Sequence, residues 1–205
     1  KKLDDPDFYN LISQVYTDGG YHLLGMADQG FRIMSTNKPV YSLADFKGQK
    51  IRTMENAYHL QFWKQMGANP TPMSFSEVYI GLQQGTIDAQ ENAYEIIVSA
   101  KLYEQQKYLI STNAVPDYTT LIVSDEFYQG LTKEQQKIID QAAETAQEKA
   151  RESADDRRVQ RQQVLEDEGM QIVDVDQKTW KQMQEKCQPV YDSIRKQAGD
   201  KLVDL

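Results

Sequence analysis

The chain has 205 residues, 40 % hydrophobic and 26 % charged, with 11 glycines and six prolines, which excludes a disulfide miniprotein or a disordered chain and suits one large domain or two small ones. Twenty-three Lys and Arg against 31 Asp and Glu give a net charge of −8, which speaks against nucleic acid as a partner, because phosphate binders carry a basic surplus. A single cysteine, Cys187, makes no internal disulfide, His22 and His59 add no convincing metal cluster to it, and no apolar run approaches the about 18 residues of a membrane span.

In chain order, Phe8, Leu11, Ile12 and Val15 recur at spacings of three and four and predict a helix over 7–18, closed by Gly19-Gly20. Tyr21–Ala27 and Phe31–Ser35 read as two short strands on either side of a Gly30-containing connection. Leu43–Gly48 reads as one helical turn, Lys50–Thr53 as a strand, and Asn56–Gly67, with Leu60, Trp63 and Met66 on one face, as a helix packed on a sheet. Asn69-Pro70-Thr71-Pro72 must be extended, and Ser74 with Glu77 is expected to form a capping box for the helix that ends at Gly85. A short strand over 87–91, a helix from Tyr94 to Tyr108 and a strand from Tyr118 to Ser124 follow. Thr132 and Gln135 form a second capping box, and the absence of Pro and Gly up to Gly169 predicts one long helix to Glu168, either an ordinary surface helix or one that bridges two lobes. Gln171–Val175 reads as a strand and Trp180–Gln197 as a closing helix, so that alternating elements predict an α/β fold.

No nucleophile elbow, phosphate loop, dinucleotide fingerprint or zinc-protease motif is present, and Cys187 sits in a polar stretch that does not activate a thiol. In an acidic chain, an arginine at a strand end suits a fixed planar donor for an anion. Arg52 is the first candidate, with a surface pairing to Asp45 or Glu55 as the plain alternative; Arg32 has the same ambiguity. Phe75 packs either in a core or over a ligand, and Asn92 serves either as a helix cap or as a ligand contact. Glu91 and Asp88 are the only tempting acid–base pair. The chain begins at Lys1 with neither an initiating Met nor a signal peptide, so it reads as a processed or truncated product.

The order of Gly48–Arg52, Met66–Met73, Phe75–Tyr79, Leu82–Asn92 and Tyr103-Glu104-Gln105-Gln106-Lys107-Tyr108 resembles the solute-binding subunits of tripartite ATP-independent periplasmic (TRAP) transporters, the DctP-like family. The resemblance implies a two-lobed periplasmic binding protein of the type II-like α/β class, its lobes joined by hinge strands and braced by a long bridging helix, and closing on an organic acid. Arg52 then matches the family arginine that makes a bidentate salt bridge to the ligand carboxylate, and Arg32 a second arginine near the same anion. Phe75 and Asn92 fall on ligand-lining positions, and Glu55 with Asn56 follows Arg52 where a sugar-acid hydroxyl is held.

It further implies an extracytoplasmic subunit without enzymatic activity or cofactor, which hands its ligand to the TRAP membrane permease. Glu55, Asn56, Asn92 and Tyr118 incline the ligand towards a sugar acid, with a dicarboxylate as the alternative. An enzyme acting on a sugar acid and a helical interaction module using 155–168 are the readings from other classes. Roughly the first third of the family's mature chain has no counterpart here. Residues 1–29 and 118–155 are therefore expected to form a partial first lobe and residues 30–117 and 156–205 the second, with the absent segment cut away, supplied by another chain or replaced by a partner copy.

Overall fold

The computed structural model describes Leu3 and residues 5–204. It falls into two units, one made of residues up to Gly30 with Pro116–Arg157 and Asp204, the other of Phe31–Val115 with Arg158–Val203. In chain order the elements are α1 (Pro6–Asp18), β1 (Tyr21–Thr36), β2 (Lys50–Thr53), α2 (Ala57–Gln65), β3 (Asn69–Pro72), α3 (Val78–Gln83), β4 (Ala89–Asn92), α4 (Tyr94–Ser99), β5 (Tyr108–Ser124), α5 (Asp125–Gln129), α6 (Lys133–Glu152), α7 (Ala154–Asp167), β6 (Gln171–Asp174), α8 (Gln177–Lys186), α9 (Gln188–Ala198) and α10 (Asp200–Asp204).

The larger unit is built on a mixed sheet of order β3-β2-β4-β1-β5-β6. Strands β3, β2 and β4 run parallel, β1 is antiparallel to β4, and β6 is parallel to β5. Because successive strand side chains point to opposite faces, Met34, Ile110 and Val173 join one core with Phe62, Trp63, Met183 and Val190 of α2, α8 and α9. Their neighbours Ile33, Leu109 and Ile172 join a second core with Val78, Leu82, Ile97 and Leu165 of α3, α4 and α7. A sheet covered by helices on both faces is the α/β architecture that the alternation predicts.

Strand β3 forms one border of this sheet, and its register decides what that border offers. The Asn69 and Met73 N–H groups donate inward to the Gln49 and Thr53 carbonyls at 2.8 and 3.2 Å. Pro70 and Pro72 alternate with them, so the donors that proline lacks are those that would have faced away from β2.

Several predicted elements differ from those observed. The two strands expected around Gly30 are one strand, β1; Gly30 takes φ +86° inside it and its N–H donates to Asp28 Oδ1 at 2.7 Å, so the glycine kinks the strand without ending it. The Ser74–Glu77 capping box does not form: Phe75–Glu77 is a 3-10 turn, and Ser74 Oγ lies 2.9 Å from Ser76 Oγ. The helix expected to reach Tyr108 stops at Ser99, because Lys101 adopts a left-handed φ of 52°. The long helix is two helices. Ser153 Oγ donates back to the Lys149 carbonyl at 2.8 Å and the Arg157 side chain takes the Ala150 carbonyl at 3.1 Å, so side chains claim carbonyls that the ladder would use. The closing helix is likewise divided, at Cys187, where Pro189 has no N–H for a continuing ladder.

In the smaller unit the Thr132–Gln135 capping box is present and opens α6. Helix α6 holds β1 by its backbone: Gln147 Oε1 accepts the Met26 N–H at 2.6 Å, and Arg151 donates to the Met26 carbonyl through Nε and Nη2. A Cβ at Gly25 would lie 2.8 Å from Gln147 Oε1, so glycine is what lets this side chain approach.

Tyr128 of α5 stacks on His22 with ring centroids 3.6 Å apart and donates its hydroxyl to both Asp140 oxygens at 2.8 and 2.9 Å. Burial and the adjacent Asp140 carboxylate push the Tyr128 phenol up from 10.0 to about 12. The fold holds the neutral phenol, so the resulting stability is whole below pH 10.0 and is lost as pH rises through about 12. Denaturant unfolding across this window should show stability falling with pH, and Tyr128→Phe should flatten that dependence; an equally steep fall in the variant contradicts the assignment.

Candidate functional site

The carboxyl ends of the parallel strands β2, β3 and β4 meet the start of β1 within the larger unit, and the polar residues buried there are arginines, a carboxylate and amides. In open α/β sheets this end of the strands is where ligands are bound. Arg52, the third residue of β2, is 5 % exposed. Its Nε and Nη2 both donate to the Met73 carbonyl, at 3.0 and 2.9 Å, just beyond the end of β3. The exposed Phe75 ring lies against the guanidinium, 5.7 Å from its central carbon to the ring centroid.

Neither Asp45 nor Glu55 pairs with Arg52. Asp45 closes the turn before β2 by accepting from the Tyr41 and Ser42 N–H groups, and those bonds hold its carboxyl below the usual range against a burial effect of opposite sign. Glu55 is exposed in the turn after β2 and has no hydrogen bond or ion pair among the described residues. Arg52 is therefore a buried cation whose direct protein partner is a neutral carbonyl. Burial first, and repulsion from Arg32 second, push its pKa down, with Glu91 acting the other way; a guanidinium nonetheless stays charged.

Arg32 is placed differently. Its Nε lies 2.9 Å from Glu91 Oε2, and its Nη2 donates to the Glu91 carbonyl at 2.6 Å and to Asn92 Oδ1 at 3.0 Å. His59, near the start of α2, brings Nδ1 to 2.9 Å from Glu91 Oε1. Asn92 does not cap α4, a place taken by Ala93; its Nδ2 donates to Gln90 Oε1 at 2.6 Å, Gln90 donates to Ser35 Oγ at 2.8 Å, and Ser35 donates to Gln106 Oε1 at 3.1 Å. These bonds form a continuous buried polar chain that fixes both ends of the Asn92 amide.

The structure thus brings together Arg52, Arg32, Phe75 and Asn92 of the expected site residues, with Arg32 tied to Glu91 and Asn92, and leaves Glu55 exposed. It adds His59, which nothing in the sequence distinguishes, because its partner is 32 residues away. Asp88 has another role: its carboxylate accepts the Lys50 N–H at 2.9 Å, while Glu91 is enclosed by Arg32 and His59, an arrangement unlike a working acid–base pair. No group of His, Cys, Asp and Glu among the described residues is arranged to hold a metal. A groove of 640 Å³ elsewhere on the larger unit, lined by Tyr41, Lys47, Asp176 and Lys178 among others, does not include Arg52.

Residues 1–197 match the family of bacterial extracellular solute-binding proteins, family 7 (DctP). The chain is similar to the sialic acid-binding periplasmic protein SiaP of Vibrio cholerae, 32 % identical over 85 % of this chain and 53 % of that protein. It is also similar to the ectoine-binding periplasmic protein TeaA of Halomonas elongata, 38 % identical over 66 % of this chain and 40 % of that protein. The chain therefore spans only about half the length of these curated relatives. Among solved structures, a TRAP periplasmic solute-binding protein of Haemophilus influenzae with bound L-gulonate superimposes with a TM-score of 0.92 at 33 % identity, over 98 % of this chain and 67 % of that one.

Proposed function

The chain belongs to family 7 of the bacterial extracellular solute-binding proteins, the DctP-like subunits of TRAP transporters, and we propose that it captures an organic acid outside the cytoplasmic membrane and delivers it to the membrane permease subunits. The observation that carries this reading is Arg52: a guanidinium taken out of water whose hydrogen bonds among the described residues go to the neutral Met73 carbonyl. Burying a cation that is hydrogen-bonded to no carboxylate is costly, and a ligand carboxylate would supply that partner with two parallel hydrogen bonds. Phe75 then covers the carbon skeleton beside the clamp, and Arg32 and Asn92 border it. In this reading the larger unit is the lobe that carries the arginines and the smaller unit belongs to the other lobe.

The relatives favour a sugar acid, since those of known ligand include a sialic acid binder and one seen with L-gulonate. Binding without turnover fits this site, because Glu91, the one carboxylate placed like a base, is buried with each oxygen 2.9 Å from a basic nitrogen, one of Arg32 and one of His59. A thermal-shift screen of L-gulonate, sialic acid, ectoine and the corresponding neutral sugars tests the reading. Sugar acids should raise the melting temperature in a concentration-dependent way and the neutral sugars should not, with each acid recovered chemically unchanged. Equal shifts by acids and neutral sugars would remove the role of Arg52.

A further inference from the structure

The groove of 640 Å³ on the larger unit lies between the turn that precedes β2, the end of α2 and one side of α8. Lys178, Gln182 and Lys186 line it together, because a spacing of four keeps them on the same side of that helix. Lys47 enters from the turn, and Tyr41, 67 % exposed, from the residues just before it. Asp176 is the one acidic residue in the lining among the described residues, and its carboxylate is engaged as the cap of α8, accepting the Thr179 N–H at 2.7 Å. The ammonium groups of Lys47, Lys178 and Lys186 have no hydrogen bond or ion pair among the described residues. A chain of net charge −8 thus gathers unpaired cations in one concavity, a local field opposite to that of the whole.

The spacing of those cations says what fits them. Lys178 and Lys186 lie two turns apart on α8, about 12 Å along its axis, which is beyond the reach of one carboxylate or phosphate group. An extended chain covers that distance in about four residues and brings every fourth side chain to the same side. We propose that this groove docks an extended acidic segment of a partner protein, with carboxylates about four residues apart meeting Lys178 and Lys186 and the Tyr41 ring as a flank. Lysine suits the task, because a point charge on a flexible stem follows a carboxylate without demanding one planar geometry. Exposed ion pairs are weak singly and screened by salt, so the contact is transient and needs several pairs at once. The groove opens at the amino end of β2, whereas Arg52 lies towards its carboxyl end, so this inference stands apart from the carboxylate clamp.

The test is a synthetic serine–glycine peptide, capped at both ends and carrying a glutamate at every fourth position, titrated at low salt into the isotope-labelled full chain while amide resonances are followed by NMR. Shifts should gather in residues 41–47 and 176–186, spare those around Arg52 and fade as salt is added. Lys178→Gln and Lys186→Gln should each weaken binding about two- to fivefold and together more, their spectra showing that each is folded. The same peptide with glutamine in place of glutamate should not bind, a comparison that needs no variant. Equal binding of the glutamine peptide, shifts that are absent or spread over the whole surface, or unchanged affinity in the folded double variant overturns the inference. Displacement of the peptide by equimolar citrate assigns the groove to a small polyanion, and stronger retention on phosphatidylglycerol vesicles assigns it to a lipid surface; either overturns the acidic segment. None of these results bears on acid binding at Arg52.

Discussion

Replacing Arg52 with alanine is expected to weaken acid binding by about a hundredfold or more, the usual result of removing one side of a desolvated, hydrogen-bonded charge pair, about 2–5 kcal/mol. The ligand carboxylate would then sit in a site whose remaining cation, Arg32, is already held by Glu91. Arg52→Lys should recover little of the loss. A lysine ammonium at the end of a flexible stem has no planar fork, and it would have to serve the Met73 carbonyl and the ligand from a single nitrogen. In the proposed clamp Arg52 would keep these tasks apart, with Nε and Nη2 on Met73 and the remainder of the fork for the ligand. Calorimetric titration of both variants decides the matter: wild-type affinity in Arg52→Lys rejects the bidentate clamp, and wild-type affinity in Arg52→Ala rejects the site.

The largest effect on stability is expected at Trp63. It is 1 % exposed, meets Phe62 edge-on at 4.8 Å and lies 5.8 Å from Phe46, in the core between the sheet and α2. Trp63→Ala leaves a cavity that the sheet cannot collapse into, and a loss of about 3–5 kcal/mol is expected. Trp63→Phe should cost much less, because the indole Nε1 has no hydrogen-bond partner among the described residues and its removal breaks no bond. Urea unfolding monitored by circular dichroism gives both values; a loss below about 1 kcal/mol for the alanine variant would place Trp63 outside the core.

Sequence patterns marked several elements whose start a capping side chain or strand-forming residues define. The helix capped by Asn56, the strand over Lys50–Thr53 and the capping box of Thr132 are where residue chemistry puts them. The boundaries that were not legible are those where the residue type does not announce the break. Lys101 turns left-handed without being glycine, and Ser153 interrupts a helix that its neighbours would continue. Gly30 misled in the opposite sense, because its positive φ bends a strand that pairing carries onward.

For the site, residue type and position made Arg52, Arg32, Phe75 and Asn92 candidates with a plain structural alternative for each, and the family resemblance is what set all four at the ligand. What distinguishes the two arginines is tertiary. Arg32 and Arg52 look alike in one dimension, and only the meeting of residues 32, 59 and 91 shows that the first is neutralised inside the protein and the second is not. Buried ion pairs of this kind join positions too far apart for local pattern to reveal.

The prolines of β3 bear on how the protein behaves when it is abundant. A sheet border with unused N–H groups invites a strand from a neighbouring molecule, and the more concentrated a protein is, the more often it meets its own copies. With Pro70 and Pro72 at the outward positions, that side has no donors there for a newcomer to zip onto, so polymerisation through the β3 flank is blocked by covalent chemistry rather than by charge.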